Sequence, residues 1–296
     1  MKKIFLIVSS TLLLASSILA QDAVDKKIRF GLRVAPTPTW LRSNDLKSVE
    51  KGGAKFGLGF GLQVEFRINS TASFVTGVGG DFLGGKQNYN YDQGYVLSKD
   101  GEYVDSKTID FTQSAQQIHD EAALNGNKFY ELKSRSIKAT YITIPVLLKL
   151  MTKDIAGLKY FGIFGGNIGI QSKFKATDEI SELATTGTGT NTVYNTGTSS
   201  IKIDEMRPSG DLIPLNIGLN AGIGAEYNLS GSTSIFLSIN YMRGFINQYQ
   251  KNSDIMVDKM KDNINNTNNI GNAEEPIRSK QSAFSDGIQI NIGVLF

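Results

Sequence analysis

One His is present in the 296-residue chain, and it stands beside a carboxylate, as His119-Asp120. Such a pair can serve as general base and orienting acid in a hydrolase, provided a nucleophile is placed against it. No Ser or second carboxylate stands at a spacing that brings it to His119, so a solvated loop residue is the simpler account. Arg29, Arg33, Glu65, Arg67, Asp81, Lys149 and Glu226 form a second candidate set. Converging, they would line a narrow pore or a proton path; ion pairs that fill an interior are the structural alternative, and the favoured one. Gly57-Leu58-Gly59-Phe60-Gly61 looks superficially like a phosphate loop. Its glycines fall at strict period two, with no following helix or Lys, which excludes a dinucleotide or phosphate role. Tyr141, Tyr160, Phe161, Tyr227, Tyr241 and Phe296 could stack ligands, but interfacial girdles are the commoner use of such rings. With no Cys and one His, no metal-ligand spacing exists. No catalytic, cofactor-binding or metal-binding residue is therefore expected, and no enzyme.

The segments that carry these residues alternate at period two. Residues 28–36 set Ile28, Phe30, Leu32 and Val34 against Arg29, Gly31, Arg33 and Ala35. Residues 55–67 set Phe56, Leu58, Phe60, Leu62, Val64 and Phe66 against Gly57, Gly59, Gly61, Gln63, Glu65 and Arg67. Alternation this long predicts strands with a different solvent on each face. A third segment, 73–82, sets Phe74, Thr76, Val78 and Phe82 against Ser73, Val75 and Asp81. The fourth, 133–150, sets Ile142, Ile144, Val146, Leu148 and Leu150 against Tyr141, Thr143, Pro145, Leu147 and Lys149. The fifth, 158–174, is aromatic and Gly-rich and does not declare its faces. Residues 213–227 and 234–242 alternate as sixth and seventh. The eighth, 287–296, has Ile288, Ile290, Ile292, Val294 and Phe296 on one face.

These eight strands have seven connections. The three after strands two, four and six are short; the other four are long. A bacterial outer-membrane barrel sorts its connections this way, with short periplasmic turns and long external loops. The charges on the inward lists cannot face hydrocarbon cheaply, at roughly 2–4 kcal/mol for Arg or Lys near the midplane. The expected fold is all-β: an eight-stranded, antiparallel, up-and-down transmembrane β-barrel with short periplasmic turns and long extracellular loops. Within the loops, 95–104 reads as a hairpin with an Asp-Gly turn, 113–125 as a short helix, and 176–208 as a mobile polar loop.

Lys2 and Lys3, the apolar run 4–14 and the small residues up to Ala20 read as a secretory signal peptide, 1–20, leaving a barrel domain of 21–296. Without Lys2 and Lys3 the chain is close to charge balance, which gives no electrostatic case for nucleic acid. After residue 20 no apolar run reaches the ~18 residues of a spanning helix, whereas a spanning strand needs only ~9–11.

Tyr141-Ile142-Thr143-Ile144-Pro145-Val146-Leu147-Leu148-Lys149 resembles the mid-chain strand of the PorT-like outer-membrane β-barrel proteins of Bacteroidota, loosely called porin family proteins. That strand is of the Tyr-Leu-Glu-Ile-Pro-Leu-Leu-Leu-Lys type, and Thr143 stands where the family usually has Glu. The likeness extends to the run from Gly218 to Tyr227 and to the apolar end at Phe296, and covers the barrel but not the loops. It implies architecture and location more than activity; the family's namesake acts in type IX secretion and gliding. The ending at Phe296 also resembles the signal read by the barrel-assembly machinery, which would be a transient partner. The expectation is a monomeric, non-enzymatic barrel in the outer membrane of a Gram-negative bacterium, after Sec-type export. Its neighbours would be lipid and a protein partner at the loops, in a structural, surface-binding or secretion-accessory role. A narrow channel for small solutes or ions is the alternative.

Overall fold

The computed structural model describes residues 27–90, 92–111, 113–206, 211–250, 253–265 and 281–296. The expected signal peptide lies outside them. In chain order the strands are β1 (Ile28–Arg42), β2 (Val49–Arg67), β3 (Ala72–Tyr89), β4 (Gln93–Leu97), β5 (Lys128–Met151), β6 (Leu158–Thr186), β7 (Val193–Met206), β8 (Leu215–Ser230), β9 (Thr233–Gly244), β10 (Val257–Asp258) and β11 (Phe284–Leu295). Helix α1 (Ala115–Asn125) precedes β5, and α2 (Met260–Asn265) follows β10.

Eight strands pair antiparallel in the order β5-β3-β2-β1-β11-β9-β8-β6, and β5 also pairs with β6, which closes the ring. Closure removes the open edge that hydrocarbon does not tolerate. Following paired residues once round leads from Arg29 through Glu65, Val75, Leu147, Gly165, Asn220, Met242 and Gly287 to Thr39, ten residues further along β1. A ten-residue stagger over eight strands corresponds to a strand tilt of roughly 40°.

The two faces are those expected of a barrel in lipid. Outward Phe56 is 77% exposed and Ile223 73%, while Glu65 and Lys149, inside, are at most 2% exposed. This is the inverse of a soluble protein. On β6 the outward series Tyr160, Phe164, Ile168 and Ile170 settles the facing that the sequence leaves open, and Phe161 points inward. From Tyr160 to Ile170 the rise at that tilt is roughly 25 Å, the height of an apolar band. Tyr160, Tyr227 and Tyr241 are outward and exposed, as girdle residues should be. Tyr141 and Phe161 are not; both are buried in the lumen.

The strands run further than the alternating segments predict. β1 continues through Pro36 and Pro38 to Arg42. Both prolines pair with β2, while the ladder to β11 skips from Val34 to Thr39, so their missing N–H groups fall where no bond is asked of them. Interior glycines accommodate bulk: a Cβ at Gly224 would lie 2.5 Å from the Phe161 ring.

The larger correction concerns the long loops. Residues 176–206 are not a mobile polar loop. β6 continues to Thr186, a 3-10 turn spans Gly189–Asn191, and β7 pairs back along β6. The 98–101 turn and α1 form as expected. Ser114 caps α1 with a reciprocal bond to Gln117, and Gly126 ends it at φ 68°. α1, α2, β4, β7 and β10 pack together over the long-loop mouth. Their core holds Val96, Phe111, Ile118, Phe129, Leu183, Tyr194, Val257, Met260 and Ile264. The mouth carries a folded cap.

Candidate functional site

The inward charges meet at the short-turn end. Arg29, on the second pair from the turn end of β1, lies opposite Glu65 on β2. Its Nη2 donates to Glu65 Oε1 at 2.8 Å and its Nη1 to Glu226 Oε1 at 2.5 Å. Lys149 Nζ donates to Glu65 Oε2 at 3.0 Å and Glu226 Oε2 at 2.6 Å, and lies 4.5 Å from the centre of the Phe161 ring. Each carboxylate is thus held by both cations, and the charges cancel. Burial of four charges is tolerable only with this mutual pairing. Met151, Phe161, Phe236 and Leu295 form an apolar floor beneath it.

Arg33 and Asp81 form the next layer, 3.7 Å apart, with Arg33 also donating to Asn291 Oδ1 at 3.0 Å. Asn240 donates to Asn220 at 2.8 Å, and Asn220 to Asn167 at 3.3 Å. Two cavities of about 30 Å³ each lie among these side chains. Each has room for about one water. Arg67, at the end of β2, is partly buried and partnered. Of the seven charges singled out in the sequence, six therefore enter the lumen packing, four of them as one network.

A second charged pair lies outside the set that the sequence singles out. Arg135 and Asp178 are cross-strand partners on β5 and β6, above the apolar band. Arg135 Nε and Nη2 each donate to an Asp178 oxygen at 2.7 Å, and neither side chain is exposed. Tyr95 and Tyr103 also donate to Asp178, at 2.9 and 3.3 Å. Burial would lower the Arg135 guanidinium, but the Asp178 charge more than offsets it and holds it well above its ordinary value. Burial first, then Asp178, pushes the Tyr95 hydroxyl far up, so it remains a donor. The bidentate pair pins β4 and the hairpin onto the barrel rim. The signal for it was present: Phe174, Ala176 and Ile180 keep period two beyond the point where β6 was expected to stop.

His119 lies on α1 with its ring 6.3 Å from that of Tyr194, edge on. Asp120 accepts from Gln116 at 2.8 Å. The two side chains serve the cap rather than one another. Among the described residues no three His, Asp or Glu side chains gather as a metal site.

A family model described as outer membrane protein β-barrel domain matches residues 19–250. No curated protein matches the chain. Among solved structures the chain is similar to the outer membrane protein OprG of Pseudomonas aeruginosa, at 11% identity and a TM-score of 0.38, covering 93% of this chain and 99% of that one. It is similar to Neisserial surface protein A at 8% identity and 0.36, covering 91% and 97%. The outer membrane protease OmpT of Escherichia coli is similar at 9% identity and 0.31, covering 91% and 96%.

Proposed function

The chain belongs to the outer membrane protein β-barrel domain family, and from that premise we propose that it is a plugged, non-enzymatic barrel that holds a folded extracellular domain on the cell surface for binding. The protein resides in the outer membrane, with its short turns in the periplasm. The single observation that carries the reading is the cap. Apolar residues from three separate loops bury one another over the mouth. A barrel that served only as an anchor has no need of a second core. Binding surfaces are commonly loops positioned by a rigid scaffold, and here the scaffold is the rim pinned by Arg135 and Asp178. A secretion-accessory role, implied by the resemblance to the PorT-like proteins of Bacteroidota, is one form such binding takes.

The narrow channel is the second reading, favoured by the polar lumen and its two small cavities. Planar-bilayer recording separates the two. We expect no stable single-channel steps from the purified protein. Reproducible steps that disappear when the lumen charges are changed would establish the channel instead. Removing residues 93–127 should leave the heat-modifiable gel mobility of the barrel intact and abolish partner crosslinking at the cell surface; unchanged crosslinks would count against the binding role.

Sec-type export removes the signal peptide after Ala20, and the barrel works as a monomer in lipid. The barrel-assembly machinery engages the C-terminal strand. The Phe296 N–H bonds to Phe30 O at 2.7 Å, extending the β11–β1 ladder by one residue at the seam where the ring closes. Deleting Phe296 is expected to lower the assembled fraction several-fold in cells, read by heat-modifiability. Parent-like assembly of the truncated chain would count against this role for the ending.

A further inference from the structure

The outward face just above the apolar band is not uniformly charged. On one half of the ring, β2, β3, β5 and β6 carry Lys55, Lys86, Lys138, Lys173 and Lys175. Register places them side by side: Gly84 of β3 pairs with Lys138, and Lys138 with Lys175. Lys173 lies opposite Thr140, one outward position lower. Lys55 reaches the same row because β2 bulges between Ala54 and Leu58, and its Cδ lies 3.5 Å from where a Gly84 Cβ would be. Lys86 pairs weakly with Glu179, at 3.8 Å, and Lys175 is itself partnered. Among the described residues Lys55, Lys138 and Lys173 have no ion-pair partner. On the other half of the ring the corresponding outward positions include Arg42 paired with Asp286 at 3.0 Å, and Arg243.

Height decides what can meet these lysines. Below them on the same faces, within two outward positions, are Phe56, Phe82, Ile142 and Ile170, all exposed. One outward step along a tilted strand raises a side chain by roughly 5 Å, so the lysines stand in the headgroup layer of the outer leaflet. We propose that this patch binds a phosphorylated glycolipid of the outer leaflet, of the lipid A class. Its phosphates lie on Lys55, Lys138 and Lys173, and its acyl chains lie along the apolar band of β2, β3, β5 and β6. A soluble polyanion would use the lysines but not the band. A neutral lipid would use the band but leave the clustered ammonium groups without a counter-charge.

Native mass spectrometry of the full-length protein in detergent tests this. Bisphosphorylated lipid A and its dephosphorylated form are titrated separately. The phosphorylated form is expected to bind on the order of tenfold more tightly. K55Q/K138Q/K173Q is expected to lose roughly that factor, whereas K47Q/K99Q/K153Q, at exposed lysines elsewhere, retains parent affinity. K138Q/K173Q, which changes only exposed side chains, should lose part of it, and serves if the triple variant does not assemble. Equal binding of the two lipids would overturn the proposal, as would parent-like affinity in the patch variants or an equal loss in the control. Displacement of lipid A by inorganic phosphate at the same concentration would overturn the lipid as the source of the phosphate.

Discussion

Arg29→Ala lowers barrel stability by about 3–5 kcal/mol, the range for leaving a buried charge uncompensated. The residue sits between two carboxylates and is 3% exposed. Without it Glu65 and Glu226 share Lys149 alone, and the lumen keeps one net negative charge. Water cannot easily repair the loss, because the floor of Met151, Phe161, Phe236 and Leu295 closes the periplasmic end. The measurement is urea unfolding of the refolded protein, followed by loss of heat-modifiable mobility. Arg29→Met combined with Glu226→Gln restores neutrality and should recover most of the loss, since an uncharged filling of similar volume is often no worse than the ion pairs. A single variant within about 1 kcal/mol of the parent would show that the four charges behave as a solvated surface cluster instead.

Asp178→Ala is the counterpart in the cap, with a different outcome. It strands Arg135, which has no exposed surface, and removes the acceptor of Tyr95 and Tyr103. The local penalty is again about 3–5 kcal/mol. The cap, however, stands in water and can open, whereas the barrel wall cannot expose unpaired backbone to lipid. Opening limits the cost to the free energy of undocking the cap. Hydrogen exchange should therefore accelerate in β4, α1, β7 and the outer half of β5, while residues 141–151 keep parent protection. Equal acceleration in both halves would mean that cap and barrel unfold as one unit. Unchanged exchange in the cap would mean that its apolar core, not the Arg135–Asp178 pair, holds it in place.

Which charges lie inside was legible before any coordinates. Arg29, Arg33, Glu65, Asp81, Lys149 and Glu226 read as inward because the residues beside them, on the opposite face, are mostly large and apolar, and all six are inside. Their partners were not legible. Arg29 and Glu226 are 197 residues apart and meet only because the ring closes. The same holds for the lysine row, which depends on the β2 bulge and on the pairing of Lys138 with Lys175.

The amino-acid sequence alone determined the barrel: strand number, the apolar and polar faces, the alternation of short and long connections, and the placement in an outer membrane. Lipid makes those features readable, because hydrocarbon on one side imposes a strict period of two on every crossing strand. Only the tertiary structure decided that the loops fold. The cap core draws Val96, Phe111, Ile118, Phe129, Leu183, Tyr194, Val257, Met260 and Ile264 from segments scattered along the chain. In water each segment shows a few apolar residues without a period. Their burial depends on contacts across the mouth that no local pattern records, and those contacts exist only once eight strands have brought the loops together.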